Sequence, residues 1–235
     1  MESFITSEII REMLEAPPRS LNSIKAELLF LDGAYILHSR DGNASRYKCL
    51  SSTALRNAFS GMPIDSGWLN PGIIRHGSSQ AGDWAVKFVA PQIYNINCTD
   101  LGMLTVPLPA MVFVGKATKY WIWASKPKKF APDASLFRVP LPNVYLEWGQ
   151  ICWGVNTPPE CNAQTINSAW EMFVTSPFNS HLSSNKSRRH DRDIREQLLA
   201  LYSKKAKKYP VSDLQPLSRD LTVNKLLEAI ANDSN

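Results

Sequence analysis

The chain has no apolar run of membrane-spanning length, no Cys-x-x-Cys pair and no glycine-rich phosphate loop. The first absence excludes a transmembrane helix, which needs ~20 consecutive apolar residues. The second argues against a structural zinc site, and no metal or cofactor is expected. The third leaves any nucleotide-driven activation to another protein. Residues Met1 to Glu15 interleave Glu2, Glu8, Arg11 and Glu12 with their apolar residues. They therefore lack the unbroken hydrophobic centre of a secretory signal, and a cytoplasmic chain that does not associate with membranes is expected. Cysteine is sparse, at Cys49, Cys98, Cys152 and Cys161, and in that compartment all four are expected as reduced thiols. Internal repeats and long low-complexity segments are also missing.

What is present is one sizeable hydrophobic complement. With 235 residues and 44% apolar content, the chain is long enough for one core. It is read as a single domain over 1–235, with 1–60 an N-terminal helix, hairpin and helix extension and 183–235 the C-terminal helices. The formal charge of +5 is unevenly spread. Lysines and arginines group at Lys126, Lys128 and Lys129, at Lys186, Arg188 and Arg189, and at Lys204, Lys205, Lys207 and Lys208. Such groups suit an acidic protein face or nucleic acid, and equally a solvated surface.

Ser7 caps a short helix carrying Ile9, Ile10, Met13 and Leu14, stopped by Pro17-Pro18. Asp32-Gly33 between the apolar runs 24–31 and 34–38 predicts a β-hairpin. Ser52-Thr53 opens a second short helix that ends at Gly61. The β-branched and aromatic runs 84–89, 111–114 and 120–123 predict a meander, with a turn over 115–119 and with Pro107 and Pro109 bounding the middle strand. After Thr157-Pro158-Pro159, a helix from Thr165 places Ile166, Trp170, Phe173 and Val174 on one stripe that covers the sheet. A mobile linker is expected over 183–189. A helix from Asp191 then carries Ile194, Leu198, Leu201 and Tyr202 on one face and is closed by Pro210. A terminal helix carries Val223, Leu226, Leu227 and Ile230. Sheet first and helices after predicts an α+β chain, an antiparallel meander sheet backed by helices with an N-terminal hairpin addition.

One segment carries chemistry. Pro140-Leu141-Pro142-Asn143-Val144-Tyr145 leads through Gly149-Gln150-Ile151 into Cys152-Trp153-Gly154. A thiolate is strongly nucleophilic, and a thioester formed on Cys152 stays reactive toward amines. Glycines on both sides, Gly149 and Gly154, would let an extended peptide tail approach. A cysteine between Ile151 and Trp153 also fits a small buried hydrophobe. Asn143 either shapes a turn after proline or donates an amide N–H to an oxyanion. The tryptophans Trp121, Trp123 and Trp170 are assigned to the core with Phe173.

This segment resembles the active-site run of ubiquitin-conjugating enzymes, where a Pro-Asn pair precedes a Gly-x-Ile-Cys turn. Leu141 stands where those enzymes have histidine, and the interval from Asn143 to Cys152 is longer by one residue. More of the chain is similar to family D of the prokaryotic ubiquitin-conjugating-like proteins, which includes the protein B members of PRTRC systems. The matching runs are 106–113, 139–144, 150–154, Trp170-Glu171-Met172-Phe173 and Ser176-Pro177-Phe178-Asn179-Ser180-His181. That family lacks the histidine before the asparagine and has one after the cysteine, a position that matches His181. The resemblance implies catalytic roles for Cys152, Asn143 and His181. It also implies a carrier that takes a ubiquitin-like modifier from a ThiF-type activating enzyme as a thioester and passes it to an amine, with a JAB-type protease removing the modifier. Two alternatives stand beside it. One is a non-catalytic modifier-binding or plasmid-maintenance scaffold with basic contact surfaces, for which nucleic acid is a conceivable partner. The other is a cysteine peptidase built on Cys152 and His181, disfavoured because no papain-like Cys-Gly-Ser-Cys-Trp surrounds the thiol.

Overall fold

The structure is a computed structural model that describes residues 26–31, 34–41, 44–55, 67–79, 81–217 and 220–232. The chain divides into two compact units, residues 1–66 and 67–235. The expected helix over 9–14 and the Asp32-Gly33 turn lie outside the described residues.

In the first unit, β1 (Ala26–Leu31), β2 (Ala34–Asp41) and β3 (Ala44–Leu50) form an antiparallel sheet in the order β1-β2-β3. Leu31 faces Ala34 and Asp41 faces Ala44, so both connections are two-residue links. The hairpin agrees with the sequence expectation, whereas β3 was not expected. Its sequence, ASRYKCL, is polar and almost wholly exposed, so it offers little hydrophobic alternation to read. A helical turn over 52–55 follows, and its cap is Ser51, whose Oγ accepts from the Ala54 N–H at 3.0 Å. His38 is buried against Tyr47, ring to ring at 4.5 Å, and its Nε2 lies 3.2 Å from Ser45 Oγ.

Among the described residues the second unit holds seven strands: β4 (Ile73–Ser79), β5 (Gly82–Val89), β6 (Gln92–Cys98), β7 (Gly102–Leu108), β8 (Ala110–Lys116), β9 (Lys119–Ser125) and β10 (Leu136–Phe137). Five of them form an antiparallel sheet in the order β10-β9-β8-β5-β4, and β6 and β7 form a separate two-stranded sheet. The expected strands at 84–89, 111–114 and 120–123 are thus β5, β8 and β9, and they are spatial neighbours as a meander requires. The β6–β7 hairpin interrupts that meander in sequence without separating β5 from β8. Pro109 bounds β8 as expected, but Pro107 lies inside β7, opposite Ile93. Because β6 is the one ladder partner of β7 among the described residues, the other side of that strand needs no ladder hydrogen bond, and a proline is tolerated.

β8 is buried along its whole length because the five-stranded sheet is covered on both faces. One face carries Ala85, Met111, Phe113, Ile122 and Ala124, in a core shared with the β6–β7 hairpin, α1 (Ile166–Thr175) and α2 (Ile194–Ser203), the last of which packs on β7. The other carries Trp84, Val86, Val112, Val114 and Trp123, packed with Val223 and Leu227 of α3 (Val223–Asn232). Alternation along a strand sends successive side chains to opposite faces, so a two-sided core requires an unbroken apolar run in the central strand. Trp170 of α1 meets Phe113 edge-on at 5.4 Å, which places the helix over the sheet as its stripe implied. Among the described residues, no helix is long and apolar enough to cross a membrane.

Two helix details differ from expectation. On α2, Ile194, Leu198 and Leu201 are buried together with Gln197, while Tyr202 is 44% exposed. Positions 194, 197, 198 and 201 follow the i, i+3, i+4, i+7 stripe, and Tyr202 falls at its edge. The helix ends at Ser203 with Lys204 as its C-cap, and the next residue, Lys205, is left-handed with φ 49°, so the end falls well before Pro210. Asp193 is its N-cap, accepting from the Arg195 N–H at 2.9 Å, so the helix begins at Ile194 rather than at the expected Asp191.

The expected linker over 183–189 is instead built into the fold. Ser183, Lys186 and Ser187 are buried. Ser187 Oγ donates to Asp213 Oδ2 at 2.7 Å, the Arg189 N–H donates to Asp213 Oδ1 at 3.0 Å, and Tyr209 OH donates to Asp213 Oδ2 at 3.3 Å. Polar residue types suggested a solvated tether, but Ser187, Arg188 and Arg189 find partners on the segment around Asp213, and the Asn185 N–H donates to Asp191 O. Lys186 therefore does not belong to a basic surface cluster.

Candidate functional site

After β10 the chain enters Val139-Pro140-Leu141-Pro142, all of it buried. The two prolines fix the backbone φ of this stretch. Asn143 then turns the chain with φ 59°, a left-handed conformation that asparagine tolerates better than most residues. From Val144 the chain runs out and returns, Val144 bridging Ile151 and the Tyr145 N–H donating to Gln150 O at 2.8 Å. The returning limb joins the side of β9. The Ile122 N–H donates to Gly149 O at 2.8 Å and the Ile151 N–H donates to Tyr120 O at 2.9 Å.

Gly149 is required there for packing. Its φ is 66°, and a Cβ would lie 2.5 Å from Trp123 Nε1 and 2.8 Å from the Ile122 carbonyl oxygen. The expectation that Gly149 opens a path for a peptide tail is therefore corrected, since this glycine faces the buried Trp123 indole. Gly154, with φ 59°, meets nothing within 4 Å and is exposed, as such a path requires.

Between these glycines Ile151 points into the core, and Trp153 packs edge-on against Tyr120 at 5.6 Å and Phe173 at 6.2 Å. Cys152 is half-buried and opens onto a pocket of about 270 Å³. Its backbone N–H donates to Asn143 O at 2.8 Å. The third expected residue arrives on the loop after α1. Phe178 is fully buried, and its backbone exchanges hydrogen bonds with the end of β6, accepting from the Thr99 N–H and donating to Asn97 O, each at 2.8 Å. Asn179 Oδ1 accepts from the His181 N–H at 2.8 Å, closing a local turn.

Asn143 fastens the two loops together. Its backbone N–H donates to His181 O at 3.2 Å, and its side-chain Nδ2 donates to Pro177 O at 3.0 Å. Cys152, Asn143 and His181 consequently line one pocket. The Asn143 amide carries two hydrogens and donates to Pro177 O, so loop support and donation to an oxyanion are both compatible with its geometry. Among the described residues lining this pocket there is no carboxylate, lysine or arginine. Asn179 and Trp153 are the structural contributors that residue type alone did not assign. The signal for Asn179 was its spacing two residues before His181, the pattern of an asparagine turn.

A buried ammonium supports the loop from behind. Lys186 is 1% exposed, and its Nζ donates to Leu141 O at 2.6 Å and Val144 O at 2.7 Å, on either side of Asn143. Burial, reinforced by the positive charge of Arg138, holds its pKa down to about 7.

The four thiols separate sharply by environment. Burial pushes Cys98 and Cys161 up to about 11, whereas Cys49 is exposed and Cys152 half-buried. Since the thiolate is the reactive form, iodoacetamide should alkylate Cys49 and Cys152 in the native protein and spare Cys98 and Cys161 until denaturant is added. Peptide mass mapping reads the pattern, and protection of Cys152 alongside the two buried thiols would remove it from consideration as a nucleophile.

No curated protein and no solved structure matches the chain. A family model described as Prokaryotic E2 family D matches residues 46–217, which include the five-stranded sheet, the Asn143-to-Cys152 segment and the His181 loop. That match covers well over half of the sequence, and with an α+β architecture of antiparallel sheets backed by a few helices it carries the conclusion that this chain belongs to prokaryotic E2 family D.

Proposed function

We propose that Cys152 carries the carboxyl terminus of a ubiquitin-like modifier as a thioester. Membership of the family implies a ubiquitin-conjugating-like role in general terms, with a modifier and an activating enzyme as partners. The finer reading rests on one observation: the only half-buried thiol of the second unit shares an open pocket with Asn143 and with His181. In the first step the Cys152 thiolate attacks the modifier thioester on a ThiF-type activating enzyme, and that enzyme's thiolate leaves. In the second, an amine attacks the new thioester carbonyl, the Cys152 thiolate leaves, and the amine nitrogen gives up a proton. One thioester replaces another in the first step, so the protein's contribution is chiefly positioning and oxyanion stabilisation. A JAB-type protease would reverse the product.

The test mixes the purified modifier, activating enzyme and ATP with this chain and resolves products without reductant. An adduct that thiol reductant removes, and that Cys152→Ala prevents while Cys49→Ala does not, is the expected result. A charged activating enzyme that yields no such adduct sinks the carrier reading and leaves a non-catalytic scaffold.

A further inference from the structure

We infer that a lysine-rimmed groove of the second unit, separate from the cysteine pocket, docks an extended acidic segment of a partner protein. The groove measures about 560 Å³ and shares no lining residue with the Cys152 pocket. Lys126 and Lys128, from the loop after β9, meet Lys207 and Lys208, from the segment after α2, around it. All four are exposed, no carboxylate lines the groove, and none of the four forms an ion pair among the described residues. Two runs far apart in sequence thus converge their charges on one cleft. Four ammonium groups facing a common space repel one another, and that repulsion is relieved when carboxylates enter.

Both sides of the rim are held in place. Lys126 sits with its Nζ 4.4 Å from the Phe137 ring centre. On the other side, Tyr209 next to Lys208 is buried and tied to Asp213, and the Ala206 N–H donates to Leu201 O at 3.0 Å. A rim ordered before binding loses less entropy on association.

The floor decides which anion fits. Apart from the lysines the groove is lined chiefly by Pro91, Pro107, Leu108 and Pro109 with Gln92 beside them, a largely apolar surface whose prolines offer no backbone N–H. Single-stranded nucleic acid is held by stacking on exposed aromatic faces and by arginine. Among the described residues this groove has no arginine, and the one aromatic ring that lines it, Tyr209, is only 6% exposed. A peptide that alternates carboxylates with apolar side chains matches both features, with its carboxylates at the lysine rim and its apolar groups on the proline floor.

A fluorescein-labelled dodecapeptide alternating glutamate with leucine, titrated with the full chain and followed by anisotropy, tests the assignment. Saturable binding is expected. It should weaken about tenfold in Lys126→Glu/Lys208→Glu, and comparably in Lys128→Glu/Lys207→Glu, which leaves the Phe137 contact intact. Cys152→Ala should bind as the parent does, which separates this site from the thioester reading. Circular dichroism verifies that the exposed substitutions leave the fold unchanged. The proposal is overturned if the peptide does not bind, if both charge-reversed proteins retain it, if the glutamine version binds as tightly, or if oligothymidylate of equal length binds more tightly.

Discussion

Lys186→Met should lower the unfolding free energy by about 2–5 kcal/mol, because two buried carbonyls lose their donor at once. The ammonium stem runs through the core to reach Leu141 O and Val144 O. Methionine fills the same volume but leaves both oxygens unpaired. A counter-effect is present, since removing a buried charge relieves desolvation. That relief is limited near neutral pH, where a lysine held at about 7 is already partly neutral, and a neutral amine still has hydrogens for both carbonyls. The unsatisfied carbonyls therefore dominate.

The same lysine sets a pH signature whose sign follows from its depressed pKa. Between about 7 in the fold and 10.5 for the free side chain, the unfolded chain binds a proton that the folded chain has released. Stability contributed by this group therefore rises with pH across that window, with a slope of up to about 1.4 kcal/mol per pH unit. Below about pH 7 both states hold the proton and the penalty is constant. Buried Cys98, Cys161 and Tyr209 oppose the trend at alkaline pH, since burial raises their pKa values. For that reason the difference between parent and Lys186→Met is the quantity to follow. Urea unfolding at pH 7 and pH 9 should show the gap widening with pH. A methionine variant at least as stable as the parent would mean that the loop finds other donors and that Lys186 does not staple it.

How much of this was visible in the sequence depends on whether local pattern or distant partners decide a residue's place. The runs at β5, β8 and β9 are apolar enough to be read directly, and Asp32-Gly33 marked the hairpin through its turn chemistry. The β6–β7 hairpin was missed because Gln92–Cys98 mixes asparagines with its apolar residues, and only Ile96 and Cys98 of that strand are fully buried. Pro107 added to the disguise, since a proline argues against a strand unless the strand is known to be unpaired on one side. At the site, Cys152, Asn143 and His181 were named from motif order, and the fold brings all three to one pocket. Lys186 was invisible for a physical reason: lysine is a surface residue unless partners compensate its burial. Those partners, the carbonyls of Leu141 and Val144, lie more than 40 residues earlier in the chain.

The sharpest test of the chemistry separates the His181 ring from its backbone. His181 supports Asn143 through its carbonyl oxygen, and its own N–H is held by Asn179. His181→Gln preserves both main-chain bonds and deletes only the imidazole. Among the described residues lining the pocket there is no carboxylate, lysine or arginine, and His181 is the one side chain of them other than the thiol able to take a proton from an attacking amine. Discharge of a preformed Cys152 thioester to free lysine should therefore slow by about 100-fold in His181→Gln. Its pH–rate profile should also lose the inflection that a neutral base imparts, whereas a merely structural histidine would leave the profile's shape intact. Asn143→Gly serves as the companion, keeping the left-handed backbone and the carbonyl that accepts from the Cys152 N–H while removing the amide. If the amide meets the developing oxyanion, its loss slows both loading and discharge by about 100-fold. If the amide only ties Asn143 to Pro177, the variant loses thermal stability and reacts at the parent's rate. Discharge from His181→Gln at the parent's rate and with the parent's pH profile would remove the imidazole from the reaction.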